Sequence, residues 1–246
     1  MSKGASFRPL FFFMEQESVN MIVIKDVLSS QQLQQLNHVI AKQTWVDGRT
    51  TGGQQSNSVK NNQQLSGDSQ VVQRLEDLIL TALAHHPTFI SAALPLKIFP
   101  PMFNRYRVSE TYGLHVDNAI RIPPESSARI RTDLSATLFL TDPDSYEGGD
   151  LVIEDHFGAQ PVKLAAGDML LYPSTSLHRV TPVTQGERIS AVFWLQSMIR
   201  NNEQRKMLFD LDQSVQSLTT LHGNDAKDVM RLSGIYHNLI RQWAET

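Results

Sequence analysis

The stretch LSATLFLTDPDSYEGGDLVIE (residues 134–154) contains two short apolar runs separated by turn signals. Residues 134–141 and 150–154 are rich in residues that favour strands, whereas DPDS and EGGD between them favour turns. The connection has no helical segment, and a parallel pair of strands would need a long crossover. The stretch therefore predicts neighbouring antiparallel strands.

The same pattern extends over residues 96–197, with further turn signals at AAGD and TQGE. We expect strands at residues 97–99, 103–108, 113–117, 134–141, 150–154, 160–164, 168–172, 178–183 and 188–195. Because no crossover helix lies between them, the sheets should be antiparallel, as in a β-sandwich or jelly roll.

Helical periodicity precedes this region. After a short apolar strand at residues 21–25, Ser29 or Ser30 can cap a helix that ends near Lys42. A second helix is expected over residues 69–86, with Pro87 as its stop. Its buried stripe consists of Val72, Leu75, Ile79 and Leu83. Between the two helices, the polar segment 48–68 predicts a long loop, which is either a binding loop or a flexible connection.

Two more helices are expected after the strands, over residues 201–213 and 225–244. The apolar stripe of the second consists of Val229, Leu232, Ile235, Leu239 and Trp243. The sequence thus predicts an N-terminal extension (1–20), a supporting strand and helix region (21–95), a core domain (96–197) and a C-terminal helical region (201–246). The fold class is mainly β with flanking N-terminal helices and a small C-terminal helical appendage.

Composition excludes several classes of function. The 246 residues carry a net charge of -3 and no basic run, so nothing favours binding to nucleic acid. Cysteine is absent, so any metal must be held by nitrogen and oxygen. The apolar run in FRPLFFFMEQES is shorter than the core of a signal peptide, and no stretch has the length of a membrane span. We expect a cytoplasmic protein without membrane partners.

The segment YGLHVDNAI (residues 112–120) places His115 and Asp117 two positions apart in a predicted strand. Side chains alternate between the faces of a strand, so these two should point the same way, with Leu114 and Val116 on the other face. A histidine and an aspartate spaced in this way, without further polar partners, most often lie on the exposed edge of a strand. His115 and Asp117 indicate a functional site only if further polar residues lie on the same face.

Such residues occur in LHRVTPVTQGERIS (residues 177–190). If its two strands form a hairpin centred on Val183, His178 and Arg188 are neighbours across the strands and share a face. Two imidazoles and one carboxylate form the ligand set of non-haem Fe(II) oxygenases, which leaves metal positions open for a 2-oxo acid and O2. An arginine beyond the metal can grip the distal carboxylate of a dicarboxylate such as 2-oxoglutarate.

The H-x-D motif, the distal histidine and the arginine after it resemble the Fe(II)- and 2-oxoglutarate-dependent dioxygenases of the prolyl 4-hydroxylase type. The segments NRYRVSETYGLHVDN, ATLFLTDPDSYEGGDLVI and LAAGDMLLYPSTSLHRVTPVTQGERISAVFWLQS look like those of bacterial PKHD-type hydroxylases. The resemblance covers the chain from about residue 21 to the C-terminus, and residues 96–197 are its most specific part.

This resemblance implies a double-stranded β-helix fold, iron on His115, Asp117 and His178, 2-oxoglutarate on Arg188, and ascorbate as a supporting reductant. It further implies an enzyme that uses O2 and 2-oxoglutarate to hydroxylate a C–H bond with release of succinate and CO2. The primary substrate is left open between a prolyl residue, a peptide and a small molecule, and so is a homo-oligomeric state. The alternative function is a non-enzymatic, cupin-like module that binds a metal or ligand, which would have no need of Arg188.

Other polar residues have weaker patterns. Tyr106 either touches 2-oxoglutarate, as in similar enzymes, or is an ordinary core tyrosine. The insert at residues 120–132 carries Arg121, Arg129 and Arg131; an anionic substrate or protein partner is conceivable, but a solvated loop is favoured. The remaining candidates are expected to be structural: His85 and His86 as helix caps, His156 in a solvated turn, and Gly148 and Gly149 in a turn.

Overall fold

The computed structural model describes residues 21–51, 58–66, 70–124, 126–155 and 158–246. The predicted extension over residues 1–20 and the predicted turn residue His156 lie outside these ranges. The helices are α1 (Ser30–Ile40), α2 (Gln70–Ala84), α3 (Pro87–Ala93), α4 (Asn202–His222) and α5 (Lys227–Trp243).

The strands are short, as the turn signals predict. They are β1 (Ile22–Ile24), β2 (Trp45–Asp47), β3 (Lys60–Asn61), β4 (Gln63–Leu65), β5 (Pro95–Ile98), β6 (Met102–Tyr106), β7 (Thr111–His115), β8 (Ile120–Arg121), β9 (Ile130–Arg131), β10 (Leu134–Phe139), β11 (Glu147–Gly148), β12 (Leu151–Asp155), β13 (Gly158–Val162), β14 (Met169–Pro173), β15 (Leu177–Val180), β16 (Val183–Gln185) and β17 (Arg188–Ser197).

Two antiparallel sheets form the centre of the protein. The larger has the order β1-β14-β10-β17-β6-β4-β2, with β5 also paired to β17, and the smaller has the order β13-β12-β15-β7-β3. Side chains from both sheets line one cavity, so the sheets face each other. This arrangement confirms the predicted mainly β jelly roll.

The larger sheet is covered on both faces, which explains why strand β10 is buried along its whole length. All six residues of β10 are buried. On one side, α1 and α2 contribute Leu36, Ile79 and Leu83 to a core that includes Leu138 of β10. On the other side, Phe139 packs in a second cluster with residues of the smaller sheet. The small polar residues Ser135 and Thr137 of β10 are buried as well, because that face of the strand borders the cavity.

The N-terminal helices start where the sequence predicts. Ser29 caps α1 in a capping box with Gln32, whose backbone N–H donates to the serine hydroxyl. Helix α2 ends at Ala84, two residues before the predicted end, and Pro87 begins α3, which the sequence interpretation missed. Proline is well suited to the first turn of a helix, and the His86 side chain accepts a hydrogen bond from the Phe89 backbone N–H there.

The prediction of one long loop over residues 48–68 is wrong for the part that the structure describes. Strands β3 and β4 lie within it, and β4 pairs with both β2 and β6. Lys60, Asn62 and Gln64 are polar but buried. Because polar side chains occupy the buried face, the segment lacks the alternating pattern from which strands are recognised.

The predicted hairpin centred on Val183 is also wrong. Strand β15, which carries His178, pairs with β12 and β7 in the smaller sheet, whereas β17, which carries Arg188, lies in the larger sheet. Pro182 lies between them and has no amide N–H to continue the strand, and Val183 then pairs with Gly148 of β11. The two side chains nevertheless line the same cavity, because the sheets face each other.

The C-terminal helices pack against the end of the core. Tyr236, Leu239, Ile240 and Trp243 of α5 lie against a buried cluster of Leu94, Ile199 and Leu208. The predicted stripe is wrong at Ile235, which is 44% exposed. Helix α4 is longer than expected and ends at His222. In the described ranges, no helix is both long and apolar enough to cross a membrane.

Candidate metal centre and its cavity

The cavity between the two sheets contains every residue that the sequence marks as part of a site. Its ionisable lining residues are Lys60, Tyr106, Tyr112, His115, Asp117, Arg121, Tyr172, His178 and Arg188. Apolar side chains such as Leu151, Val180 and Val192 complete the wall. The cavity thus combines many ionisable and polar groups with a smaller apolar part of its wall.

His115 is the last residue of β7. Its Nδ1 lies 2.8 Å from the Gly113 carbonyl oxygen, and its ring stacks on Tyr112 with centroids 3.7 Å apart. A nitrogen that bonds to a carbonyl oxygen carries the proton, which leaves Nε2 with a free lone pair. Burial, and then the neighbouring His178, lower the pKa of His115 to about 4. The ring is therefore neutral and able to bind a metal.

His178 of β15 has the same arrangement. Its Nδ1 lies 3.0 Å from the Ser176 carbonyl oxygen, so its Nε2 is also available as a ligand. His178 and His115 are direct partners across neighbouring antiparallel strands, and their ring centroids lie 4.2 Å apart. The pairing of β15 with β7 therefore brings the two imidazoles together.

Asp117 completes the group from outside the strand, since β7 ends at His115 and not at residue 117 as predicted. Its Oδ2 accepts a 2.6 Å hydrogen bond from the Ser135 hydroxyl, which belongs to β10 of the opposite sheet. The same Oδ2 lies 3.7 Å from His178 Nε2. Burial raises the pKa of Asp117, but His178 and the Ser135 hydroxyl outweigh this effect and lower it. The side chain is thus a buried, ionised carboxylate.

Together these three side chains can hold a metal ion, because their ligand atoms all lie within 4.8 Å of one another. Two imidazoles and one carboxylate on one side of an ion fit Fe(II) in the arrangement used by non-haem oxygenases. The sequence interpretation named all three residues. Its argument from strand alternation was wrong for Asp117, since contact with the opposite sheet positions this residue.

Arg188 lies at the start of β17, directly opposite Tyr106 of β6. It is 1% exposed, and its guanidinium lies 5.3 Å from the Tyr106 ring centroid and 5.2 Å from that of Phe139. Nη1 donates a 2.9 Å hydrogen bond to the Ser190 hydroxyl, whereas the buried Nε has no partner in the described chain. A buried, permanently charged group with an unused donor suits an anionic ligand.

Tyr106 and Gly149 lie next to Arg188. Burial raises the pKa of Tyr106 to about 12, so its hydroxyl keeps its proton and can donate a hydrogen bond into the cavity. Gly149 has a φ of 65°, and a Cβ there would lie 3.2 Å from Arg188 Cδ. The two predicted turn glycines therefore serve the backbone, and Gly149 also leaves room for the arginine.

Two further cationic residues line the cavity; the sequence did not indicate Lys60, and for Arg121 it favoured a solvated loop over contact with an anionic substrate. Lys60 is 6% exposed, and Arg121 lies with its guanidinium 3.3 Å from the Trp194 ring centroid. The prediction of a solvated insert is wrong for Arg121, although Arg129 is exposed and Arg131 forms ion pairs with Asp133 and Glu245. No periodic pattern signals Arg121, because the contact with Trp194 joins segments that are distant in the chain.

The candidates His85 and His86 are structural, as expected. His85 Nδ1 bonds to the Thr81 carbonyl oxygen at 2.8 Å near the end of α2. His86 caps α3, and its Nε2 bonds to the Lys25 carbonyl oxygen at 2.9 Å. Neither residue lines the cavity.

Comparison with known proteins agrees with this site. The 2OG-Fe(II) oxygenase superfamily matches residues 101–196, and the PKHD-type hydroxylase C-terminal domain matches residues 202–245. A PKHD-type hydroxylase from Saccharophagus degradans is 53% identical over 226 residues, which are 92% of this chain and 100% of the relative. One from Shewanella sp. (strain MR-7) is 52% identical over 225 residues, 92% of this chain and 99% of the relative.

A solved structure shares the fold at low sequence identity. It is a prolyl hydroxylase from Trichoplax adhaerens in complex with a peptide fragment of the hypoxia inducible factor oxygen degradation domain. The match has a TM-score of 0.52 and 15% identity, and covers 78% of this chain and 87% of that chain. With about half of its residues identical to curated relatives over nearly their whole length, this chain belongs to the PKHD-type hydroxylase family and carries a 2OG-Fe(II) oxygenase domain.

Proposed function

We propose that this protein couples oxidative decarboxylation of 2-oxoglutarate to hydroxylation of a C–H bond in a second substrate, with release of succinate and CO2. The observation that carries the proposal is one cavity that holds both a two-histidine, one-carboxylate cluster and a buried arginine. The cluster suits Fe(II), and the arginine suits the distal carboxylate of the co-substrate.

We assign Fe(II) to His115 Nε2, His178 Nε2 and the Asp117 carboxylate. Bound iron would supply the activation of O2 and the one-electron chemistry that amino-acid side chains lack. The chain's own task is to hold the ligands in place: two backbone carbonyl oxygens orient the imidazoles, and the Ser135 hydroxyl orients the carboxylate. Such outer contacts keep the ligands ready before the metal binds.

We assign the distal carboxylate of 2-oxoglutarate to Arg188, whose planar fork matches a carboxylate with two parallel hydrogen bonds. The rings of Tyr106 and Phe139 hold the guanidinium, and the Tyr106 hydroxyl is a further donor to the co-substrate. Leu151 and Val180 give the cavity an apolar wall, and a low local dielectric strengthens charged contacts. We further propose that ascorbate supports the reaction as a reductant. The cytoplasmic location and the domain boundaries predicted from the sequence are also proposals.

The rival function is a non-enzymatic metal-binding or ligand-binding module. The test adds Fe(II) and then 2-oxoglutarate to the protein without oxygen and looks for the weak visible absorption band of the iron chelate. Oxygen is then admitted, and succinate and CO2 are measured. We expect the band first and succinate afterwards, whereas a folded, iron-loaded protein that gives neither would favour the binding module.

A further inference from the structure

We infer that Tyr146 is a positioning residue of the co-substrate site, and that its hydroxyl holds the Arg188 guanidinium in the orientation in which it binds a distal carboxylate. This inference rests on the proposed function, because it concerns the 2-oxoglutarate end of the same cavity. It gives a role to a buried hydroxyl that neither the metal ligands nor the cavity wall use.

Tyr146 and Arg188 lie side by side. Tyr146 directly precedes β11 and is 3% exposed. A Cβ built on Gly149 would lie 3.2 Å from Arg188 Cδ and 3.2 Å from Cε2 of the Tyr146 ring. The tyrosine ring and the stem of the arginine therefore flank the same backbone position. Because Gly149 has no side chain, nothing of that residue separates the two.

The two side chains carry complementary atoms without partners. In the described parts of the chain, Arg188 Nε and the Tyr146 hydroxyl oxygen are buried and form no hydrogen bond. Buried atoms of this kind are uncommon in folded proteins, because they cost free energy. A guanidinium only donates, whereas a phenolic oxygen also accepts. A hydrogen bond from Nε to the Tyr146 oxygen would therefore satisfy both atoms.

The guanidinium already acts on this hydroxyl. Burial raises the pKa of Tyr146, whereas Arg188 opposes this effect, both as a positive charge and as a hydrogen-bond donor. The two groups are thus close, although their contact does not have the geometry of a formed hydrogen bond. Hydrogen bonds in active sites are often long or poorly aligned until the substrate binds. We expect this contact to tighten when a carboxylate binds to Arg188.

The position of Tyr146 is fixed by the residues around it. Lys163 Nζ donates a 2.7 Å hydrogen bond to the Tyr146 carbonyl oxygen and lies 3.9 Å from the centroid of the tyrosine ring. Gly186 approaches the preceding residue so closely that a Cβ there would lie 2.5 Å from the Ser145 carbonyl oxygen. A side chain that is held in this way can orient its neighbour.

Tyr146 would complete the support of the guanidinium. Nη1 donates to the Ser190 hydroxyl, and the rings of Tyr106 and Phe139 lie near the charged group. None of these contacts uses Nε. With Nε bonded to Tyr146, the guanidinium could not turn in its own plane, and the remaining N–H groups of Nη1 and Nη2 would be left for the carboxylate. The site would then accept a distal carboxylate at one fixed place, and so select a 2-oxo acid by its length.

The test compares 2-oxo acids that differ only at the distal end. 2-Oxoglutarate and 2-oxoadipate carry a distal carboxylate on chains of different length, whereas 2-oxovalerate has none. Each acid is titrated into the full-length protein with Fe(II) and without oxygen, and the visible absorption band of the chelate is measured. Tyr146→Phe should weaken 2-oxoglutarate about tenfold and leave 2-oxovalerate unchanged. Its preference for 2-oxoglutarate over 2-oxoadipate should become smaller.

Further variants separate orientation of Arg188 from general support of the fold. Tyr236→Phe removes a tyrosine hydroxyl from α5, outside the cavity, and is the matched control that should change no affinity. Because the Tyr146 hydroxyl has no hydrogen-bond partner in the described chain, Tyr146→Phe should not lower the melting temperature. In the Arg188→Lys background, Tyr146→Phe should add little further loss, because the tyrosine acts through the arginine.

The outcomes distinguish this inference from the proposed function. Equal affinity of wild type and Tyr146→Phe for 2-oxoglutarate overturns the inference, and so does an equal loss of affinity for 2-oxovalerate. Additive losses in the double variant also overturn it, because Tyr146 would then act independently of Arg188. If the wild type forms no chelate with Fe(II) and 2-oxoglutarate, the proposed function fails and this inference fails with it. That failure shows in the wild type, whereas failure of the inference alone shows only in the variants.

Discussion

His115 and His178 lie directly opposite each other on neighbouring antiparallel strands, each with Nδ1 bonded to a backbone carbonyl oxygen two residues earlier in the chain. This pairing aligns two Nε2 lone pairs before any metal is present. The third ligand, Asp117, reaches them from a loop and is bonded to Ser135 of the facing sheet. The proposed iron site therefore joins the two sheets of the fold.

The Ser135 contact predicts a measurable effect on iron. Ser135→Ala removes the hydroxyl that orients Asp117, and loss of such a contact commonly costs about 10- to 100-fold in metal affinity. Asp117→Ala should abolish Fe(II) binding while the protein stays folded. The matched control is Ser190→Ala, which removes a hydroxyl bonded to Arg188 and not to a ligand. Anaerobic Fe(II) titration measures the iron affinity of each variant, which should be lower in Ser135→Ala than in Ser190→Ala. Equal iron affinity in the wild type and Asp117→Ala would contradict the assignment.

Arg188→Lys should weaken 2-oxoglutarate far more than iron. The lysine keeps the charge but loses the fork, and a lost charge-assisted hydrogen bond costs about 1.5–3 kcal/mol, or roughly 10- to 100-fold in affinity. Parallel anaerobic titrations of Fe(II) and 2-oxoglutarate measure both constants. If both fall together, Arg188 supports the fold and not the co-substrate; if neither falls, 2-oxoglutarate binds elsewhere.

The burial of Lys60 predicts that its charge lowers the stability of the folded protein. Below its folded pKa of about 8, the charge is buried in the folded state and solvated in the unfolded state, so the full cost of burial is present. As the pH rises from 8 towards the ordinary lysine value of 10.5, the folded protein loses the proton first and its relative stability increases. Lys60→Met should therefore raise the unfolding free energy at pH 7 by about 1–3 kcal/mol.

Denaturant unfolding of wild type and Lys60→Met at pH 7 and pH 10 measures this effect. The advantage of the variant should shrink at the higher pH, because the wild-type lysine is then largely neutral in the folded state. A variant that is less stable than the wild type at pH 7 would show that Lys60 stabilises the fold more than its burial costs.

Glu76 on α2 gives a second pH prediction. Burial, and then the neighbouring Asp77, raise the pKa of Glu76 to about 7 from its ordinary value of 4.5. The folded state therefore holds this proton more tightly than the unfolded state, and its contribution to stability is lost as the pH rises through 7. Glu76→Gln should raise the melting temperature at pH 8 and leave it nearly unchanged at pH 4. An equal shift at both pH values would contradict this titration.

The packing of α5 distinguishes two neighbouring apolar residues. Leu239 lies against the cluster of Leu94, Ile199 and Leu208, whereas Ile235 is largely exposed. Leu239→Ala should lower the unfolding free energy by about 1–3 kcal/mol, less than a fully buried leucine because the site is only partly buried. Ile235→Ala should lie within about 0.5 kcal/mol of the wild type. Equal losses in the two variants would mean that the buried stripe of α5 includes Ile235 as well.

In residues 96–197, the strands could be predicted from patterns among neighbouring residues. Short apolar runs between turn signals predict antiparallel strands, because period and turn chemistry are properties of neighbouring residues. The apolar stripe Val72, Leu75, Ile79 and Leu83 predicts the buried face of α2 for the same reason, and all four residues are buried. The site residues could be named from the sequence because few types of side chain bind iron or a carboxylate. They are His115, Asp117, His178 and Arg188.

Other features depend on contacts between distant segments, and only the tertiary structure decided them. His178 and Arg188 lie in different sheets and not in one hairpin, because Pro182 interrupts the strand between them. Asp117 is positioned by Ser135 across the gap between the sheets, and Arg121 is buried by Trp194. Lys60 lies in a segment without apolar alternation, since its buried face borders a polar cavity. The sequence alone determined which groups are present, and the facing of the two sheets decided which of them meet.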